Sequence, residues 1–167
     1  MSEFETQVDS LLQRIAALLT ARNWRMATAE SCTGGWIAKC CTDMAGSSDW
    51  FDRSYVTYSY GAKEQMLGVS HEDLLNHGAV SKEIARQMAV GAKKHSNVAV
   101  TVSATGIAGP GGGFPGKPVG LVHFGWCIDD HQAVCDAEVF EGDRQSVRQQ
   151  TVLHALAGIV TRLEVLP

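Results

Sequence analysis

The chain has 167 residues, of which 45% are apolar and 19% are charged. This length and composition predict a single domain over residues 1–167 with a full-sized hydrophobic core, and they exclude a disordered chain. Its net charge is −4 and it has no basic tract, so the sequence offers no positively charged surface for a nucleic-acid backbone. No apolar stretch approaches the ~20 residues that span a bilayer, and the acidic start is unlike a secretory signal, so we expect a cytoplasmic protein.

Hydrophobic periodicity predicts helices and strands that alternate along the chain. Apolar residues at helical spacing predict a first helix over residues 4–21, and a strand–turn–helix junction follows around residues 24–40. The further predicted elements are a strand over 54–60, a short helix over 62–67, helices that begin after Ser70 and Ser81, a strand over 98–104, a glycine-rich loop over 106–118, strands over 119–128 and 133–140, and a helix that Asp143 caps. This mixture predicts an α/β fold, a three-layer αβα sandwich around a mixed central sheet.

The strand–turn–helix junction carries a hydroxyl at its apex. Ser31 lies between a β-rich approach and the pair Gly34 and Gly35, which allow close backbone approach. Free N–H groups at the start of the following helix suit a phosphate or a developing oxyanion. The pattern G-x-S-x-G is absent, since Ala29 stands where its first glycine would be. From the junction alone, Ser31 remains a candidate nucleophile, helix cap or phosphate ligand.

A base that could activate Ser31 is not obvious from spacing. None of the six histidines has a distinctive setting, and the S-x-x-K pattern fails because Gly34 stands three residues after Ser31. Tyr58 and Lys63 place a phenol at a predicted strand end and an amine about one helical turn further on. A lysine acts as a base only when neutral, which requires a lowered pKa. A solvated surface pair between Lys63 and Glu64 explains the same residues.

Two further segments favour a ligand site. The G-x-x-x-x-G-K match at Gly111–Lys117 is no Walker A loop, since Pro118 replaces the Ser or Thr and a strand follows. Thr105–Pro110 is better interpreted as a rigid turn that lines a pocket at the carboxyl edge of the sheet. Arg144 and Arg148 at the start of the last helix form either a phosphate clamp or an ordinary solvated face.

The five cysteines are odd in number and show no C-x-x-C spacing, so neither a disulfide framework nor a zinc site is indicated. Cys127 and Cys135 could face each other across a hairpin. We expect all five to behave as small buried hydrophobic residues in a reducing compartment.

Six segments, taken together, resemble the CinA C-terminal-domain family over about residues 11–163. They occur in the family's order. The segments are Ala29–Gly35, Val56–Lys63, Gly78–Ser81, Thr105–Pro110, Lys117–Gly120 and Gly142–Arg144.

The resemblance implies a serine amidohydrolase with a Ser–Lys arrangement. Ser31 matches the nucleophile, Lys63 the base and Tyr58 an assisting hydroxyl. It implies hydrolysis of the carboxamide of nicotinamide mononucleotide to nicotinic acid mononucleotide and ammonia, with no metal or other cofactor. Family members fused to a larger domain indicate that the fold alone does not guarantee this activity.

On that basis we expect backbone N–H groups on both sides of the site to hold the oxyanion, and Arg144 to bind the phosphate. The residues expected to supply oxyanion or substrate contacts are Cys32, Gly34, Gly35, Thr105 and Gly106. Two alternatives stay open: a non-catalytic nucleotide-binding module, and a partner-binding domain that acts through its first helix. The apolar stripe of that helix would support a homodimer or a higher homo-oligomer, although a core explains the stripe equally well.

Overall fold

The computed structural model describes all 167 residues, Met1–Pro167, and confirms the alternation of helices and strands. The strands are β1 (Met26–Glu30), β2 (Phe51–Val56), β3 (Val100–Gly106), β4 (Leu121–Ile128) and β5 (Val134–Val139). The helices are α1 (Glu3–Thr20), α2 (Trp36–Asp43), α3 (Tyr60–Leu67), α4 (His71–His77), α5 (Lys82–Ser96) and α6 (Arg144–Glu164), with a 3-10 turn over Ser47–Asp49. None of these helices combines the length and the apolarity that crossing a membrane requires.

The five strands form one mixed sheet in the order β2-β1-β3-β4-β5. β1 pairs in parallel with β2 and β3, whereas β4 runs antiparallel to β3 and β5. The carboxyl ends of β1, β2 and β3 therefore meet at one edge of the sheet. Open α/β sheets bind ligands at such an edge.

Helices cover both faces of the sheet, which confirms the predicted three-layer sandwich. On one face α1, α2 and α6 pack on a core that includes Val100, Val102 and Trp126. On the other face α3, α4 and α5 enclose a smaller apolar cluster. The buried hydroxyls of Thr101 and Ser103 point to this second face and donate to α5 carbonyls, so neither is left unpaired in the core.

The predicted helix caps are confirmed. The side chains of Ser70, Ser81 and Asp143 each accept a backbone N–H from three residues further on, at the starts of α4, α5 and α6. Each oxygen satisfies one of the donors that a helix leaves open at its first turn.

The strand predicted over residues 54–60 is shorter and earlier than expected. β2 ends at Val56, because its partner β1 ends at Glu30 and the two residues form the last pair. Ser59 then caps α3 by accepting the N–H of Ala62, so the helix starts at Tyr60. The β-branched and aromatic residues of this stretch favour a strand locally, but with no strand to pair with they form a turn. This early start of α3 turns Lys63 back towards the sheet edge.

Candidate active site

Ser31 follows β1 directly, at the edge where the parallel strands end. Its N–H donates to the carbonyl of Ala104 on β3 at 3.0 Å, which extends the sheet pairing by one residue. The side chain is 7% exposed. The hydroxyl is therefore held on a rigid element rather than on a mobile loop.

The Lys63 amine lies against the Ser31 hydroxyl. Nζ is 2.9 Å from Ser31 Oγ, although the two residues are 32 positions apart. Lys63 is fully buried, and its other partners are the carbonyl oxygens of Thr57 at 2.7 Å and Tyr58 at 3.3 Å. The alternative of a surface pair with Glu64 is wrong, because the Glu64 carboxylate bonds His71 instead.

Burial lowers the pKa of Lys63 to about 8. Removal from water disfavours the ammonium form, and none of the three oxygens around Nζ is a carboxylate that would restore it. With that pKa, about a tenth of Lys63 is the neutral amine at pH 7, and the neutral fraction reaches one half at about pH 8. The neutral amine is the form a general base requires.

A small cavity of about 170 Å³ opens beside these two side chains. This is below the ~300–1,000 Å³ that pockets for whole drug-sized ligands occupy, so it suits one ring or acyl group rather than a whole nucleotide. Seven of the residues predicted for the site line it, namely Ser31, Cys32, Tyr58, Lys63, Thr105, Gly106 and Arg144.

The Tyr58 side chain lies at the rim and is 66% exposed. Its hydroxyl hydrogen-bonds neither Ser31 nor Lys63 and lies instead 3.4 Å from Arg144 Nη2. Tyr58 contacts the Lys63 amine through its backbone carbonyl, a role that the sequence did not predict. Arg144 also donates through Nη1 to the carbonyl of Gly109 at 2.8 Å, so the guanidinium bridges two walls of the cavity mouth.

Two residues in the cavity wall have little chemical freedom. Burial raises the pKa of the Cys32 thiol to about 12, so Cys32 is a neutral thiol at neutral pH and not a reactive thiolate. The Thr105 hydroxyl on β3 donates to the carbonyl of Ala79 at 2.9 Å. This bond connects the segment before α5, which lines the cavity, to the sheet.

Gly34 and Gly35 shape the turn without lining the cavity. Their φ angles are +60° and +96°, in the left-handed region that favours glycine. A Cβ at Gly34 would meet Arg148 Nη2 at 3.6 Å, so Gly34 lies directly beneath that guanidinium.

Glu30 is a buried carboxylate that sequence reasoning did not single out. It accepts the N–H groups of Ile37 at 2.9 Å and Ala38 at 3.0 Å, and the hydroxyl of Thr33 at 2.8 Å. It thereby caps α2, whose own N-cap position is a glycine without a side-chain bond. The expectation that N–H groups of the helix start bind an oxyanion is wrong for these two donors, since Glu30 already holds them. Two hydroxyls, of Thr28 and Ser54, complete its partners.

Free donors are found in the turn itself, closer to the serine. The N–H of Gly34 donates to the Ser31 carbonyl, but those of Cys32 and Thr33 have no acceptor in the protein. Both residues are buried, at 6% and 0% exposure, and buried N–H groups are nearly always paired. Two consecutive unpaired donors beside a nucleophile form a candidate oxyanion site.

Arg148, which the sequence offered with Arg144 as a phosphate clamp or a solvated face, instead contacts the backbone of the turn after Ser31. Its Nε donates to the carbonyl of Cys32 at 3.0 Å and its Nη2 to that of Thr33 at 2.9 Å. The guanidinium lies over the ring of Trp36, 5.1 Å from the centroid. Next to it a groove of about 640 Å³ shares Arg144 with the cavity and is lined by Trp36, Asp143, Arg144, Gln145 and Arg148.

One group of metal-ligating side chains exists elsewhere on the molecule. Asp136, Glu138 and His154 bring their ligand atoms within 4.8 Å of one another on β5 and α6. None of the three lines the cavity beside Ser31. His154 Nε2 lies at hydrogen-bond distance, 3.0 Å, from Asp136 Oδ2, a contact that these two side chains make without a metal.

Comparison with known proteins agrees with the fold and the placement of the motifs. Residues 8–163 match the CinA C-terminal domain. The chain belongs to the CinA C-terminal domain family. Within this family it is 47% identical over 152 residues to nicotinamide-nucleotide amidohydrolase PncC of Escherichia coli (strain K12), with 91% of this chain and 92% of that protein covered. It is 42% identical over 153 residues to the protein of the same name from Pseudomonas putida, with 92% and 95% covered.

Solved structures of CinA relatives have the same fold. The competence/damage inducible protein CihA of Agrobacterium tumefaciens superposes with a TM-score of 0.92 at 42% identity, covering 98% of this chain and 99% of that one. The CinA domain also occurs within larger proteins. A CinA-like protein of Syntrophobacter fumaroxidans is 47% identical over 89% of this chain, which is only 35% of its own length.

Proposed function

We propose that this protein hydrolyses the carboxamide of nicotinamide mononucleotide to nicotinic acid mononucleotide and ammonia, with Ser31 as nucleophile and Lys63 as base. The observation that carries the proposal is the contact of 2.9 Å between Lys63 Nζ and Ser31 Oγ, made by an amine whose pKa burial lowers to about 8. Relatives that align over nine-tenths of the chain are named as nicotinamide-nucleotide amidohydrolases, which supports the substrate.

The two carbonyls around Lys63 orient the amine for this task. A neutral amine has two N–H donors and one lone pair. When the carbonyls of Thr57 and Tyr58 accept the two hydrogens, the lone pair is left for the Ser31 hydroxyl. After proton transfer, three N–H groups match the same three oxygens. The site therefore accommodates both protonation states without rearranging.

The proposed reaction proceeds in two balanced steps. Ser31 Oγ bonds to the carboxamide carbon while its proton moves to Lys63 Nζ, and the ammonium of Lys63 then gives that proton to the departing nitrogen, which leaves as ammonia. Water next attacks the acyl carbon and gives a proton to Nζ. The bond from the carbon to Oγ breaks, Oγ takes back the proton, and the acid is released.

The unpaired N–H groups of Cys32 and Thr33 are our candidates for the oxyanion donors. They follow the nucleophile directly, so they can face the oxygen of an acyl group bound to Ser31. The predicted contribution of Gly106 on the opposite wall stays a proposal. Losing one such donor typically slows an enzyme ~10²- to 10³-fold.

Size and charge indicate how the nucleotide would lie. The cavity of about 170 Å³ takes the pyridine carboxamide, and the ribose phosphate extends into the groove that begins at Arg144. The hydrogen bonds of Arg144 go to neutral oxygens only, so its positive charge is available to a phosphate. Tyr58 at the rim is proposed to hold Arg144 and cover the ring. A cytoplasmic location and a homo-oligomer also remain proposals.

The decisive test is ammonia release from nicotinamide mononucleotide, with the product identified by chromatography. Wild type should turn over, whereas Ser31→Ala and Lys63→Met should fall close to background with unchanged circular dichroism. The double variant should lose little more, because groups that act as a unit are not additive. Lys39→Met, which removes a surface lysine paired with Asp43, is the matched control. Nucleotide binding by a wild type that releases no ammonia would favour the non-catalytic module instead.

A further inference from the structure

We propose that Arg148 is a positioning residue that holds the oxyanion-binding turn in its active shape. This inference rests on the proposed hydrolysis and concerns a residue that touches the turn rather than the substrate. It separates Arg148 from Arg144, which lies one helical turn earlier on α6 and lines the same groove.

Arg148 is hydrogen-bonded to the backbone of the turn through two of its nitrogens. Its Nε and Nη2 donate to two consecutive carbonyls, those of Cys32 and Thr33, at 3.0 and 2.9 Å. A planar guanidinium that donates through two nitrogens fixes direction as well as distance. The fork reaches both neighbouring peptide groups from one side chain, with a separate nitrogen for each carbonyl.

The geometry of the peptide group links the Cys32 carbonyl to the N–H of Thr33. In a trans peptide the C=O and N–H point to opposite sides, so fixing the Cys32 carbonyl also fixes the direction of the Thr33 N–H. That N–H is one of the two unpaired donors beside Ser31. The next peptide is held at both ends, since the Thr33 carbonyl accepts from Arg148 and the Gly34 N–H donates to Ser31. Without Arg148, nothing bonded to the Cys32 carbonyl opposes a flip of its peptide.

Arg148 is itself held in place by aromatic side chains. Its guanidinium stacks over Trp36 at 5.1 Å, and Trp36 packs on Phe4 with ring centroids 5.3 Å apart. The turn is also anchored from its other side, where the Thr33 hydroxyl donates to Glu30. The Thr33 carbonyl also accepts the N–H of Trp36 at 3.1 Å, so Arg148 shares that carbonyl but is the one partner of the Cys32 carbonyl.

The test compares Arg148→Met and Arg148→Lys with wild type on nicotinamide mononucleotide and on the phosphate-free nicotinamide riboside. A loosened turn should lower kcat at least about tenfold on both substrates with little change in KM, since a displacement near 1 Å can cost about 10²-fold. Arg148→Lys keeps the charge without the fork and should also lose kcat. Added guanidinium ion should restore part of the activity of Arg148→Ala.

Controls separate this role from simple loss of an arginine. Arg144→Met should raise KM more for the mononucleotide than for the riboside, because the phosphate is the group that Arg144 is proposed to bind. Arg14→Met, which removes a surface salt bridge to Glu164, should change neither constant. A rise in KM for the mononucleotide alone in Arg148→Met would make Arg148 a phosphate ligand and overturn the proposal. Wild-type kcat in Arg148→Lys would overturn it too.

A second measurement keeps the proposal independent of the substrate. An alkyl fluorophosphonate phosphonylates an activated serine: Oγ bonds to phosphorus, fluoride leaves, and the hydroxyl proton passes to Lys63. A wild type that labels at Ser31 but hydrolyses neither the mononucleotide nor the riboside would overturn the proposed substrate only, and slower labelling of Arg148→Lys would still support the positioning role. Equal labelling rates would overturn that role, and an unlabelled wild type would overturn both proposals.

Discussion

The backbone N–H of Ser31 donates to the carbonyl of Ala104 at 3.0 Å, so the candidate nucleophile continues the hydrogen bonding between β1 and β3 one residue beyond the end of β1. The backbone carbonyl of Ser31 accepts a hydrogen bond from the N–H of Gly34, which closes the turn. The serine is therefore placed by the sheet on one side and by a tight turn on the other. Such placement limits the motion of Oγ relative to the Lys63 amine.

The pH dependence of activity should report Lys63. Its pKa is about 8 in the folded protein, and only the neutral amine can accept the proton, so kcat/KM should rise with pH and level off above that value. Initial rates of ammonia release across this range measure the profile, and Lys39→Met should leave it unchanged. A rate that falls with pH through about 8 would contradict a neutral lysine base.

The same pKa predicts a pH-dependent cost to folding. Unfolded lysine titrates near 10.4, so between pH ~8 and ~10.4 the unfolded chain binds more protons at this site and stability rises with pH. At lower pH the cost of the buried charge is fully present. The free energy of unfolding of Lys63→Met, measured relative to wild type, should therefore be highest at neutral pH. This difference should fall by up to about 3 kcal/mol as the pH rises to ~10.4. Urea unfolding of both proteins measures this, and a difference independent of pH would contradict it.

Replacing Tyr58 by Phe should leave most of the catalytic rate. The Ser31 and Lys63 atoms are in direct contact, and the Tyr58 carbonyl that orients the amine survives the substitution. We expect kcat within about tenfold of wild type, since general acid–base groups contribute ~10²–10⁴. A loss as large as that of Lys63→Met would show that the hydroxyl relays the proton after all.

Replacing Glu30 by Gln should cost stability. The amide keeps one acceptor oxygen, but its NH₂ group would face a donor, either the N–H of Ile37 or that of Ala38. Leaving a buried donor unpaired costs about 1–3 kcal/mol. Urea denaturation measures the loss. Glu64→Gln, which removes only a partly exposed pair with His71, should stay within about 0.5 kcal/mol of wild type.

Gly106, which lines the cavity, and Gly111, in the loop after β3, offer a matched pair of substitutions. A Cβ at Gly106 would lie 2.6 Å from Val122 Cγ2 and 2.8 Å from the Leu121 carbonyl oxygen, so Gly106→Ala must move β3 from β4 at the cavity wall. We expect about 1–3 kcal/mol of destabilisation together with reduced activity. At Gly111 a Cβ meets nothing within 4 Å, and Gly111→Ala should be silent in thermal unfolding and turnover.

The sequence predicted most of the fold because its signals are local. The helix caps at Ser70, Ser81 and Asp143 and the apolar periodicity of α1 and α6 appear directly in the chain. The end of β2 could not be predicted in this way. It depends on where its neighbour β1 ends, which is a property of sheet pairing and not of the residues 54–60 themselves.

The site was predictable only in part, for a similar reason. Ser31, Lys63 and Arg144 belong to recognisable motifs, and all three line the cavity. Glu30 and Arg148 act through contacts with backbone atoms, which leave no spacing pattern. Glu30 beside Ser31 resembles any charged loop residue in the sequence, and only the structure shows that it caps α2 from beneath the turn.

The amine of Lys63 is aimed by main-chain oxygens, at Thr57 and Tyr58, rather than by side chains. Exchange of either side chain leaves those acceptors in the polypeptide. Side chains at the mouth of the pocket can therefore be exchanged, by natural drift or in the laboratory, to admit differently shaped amides without loss of the acceptors that orient the proposed lysine base.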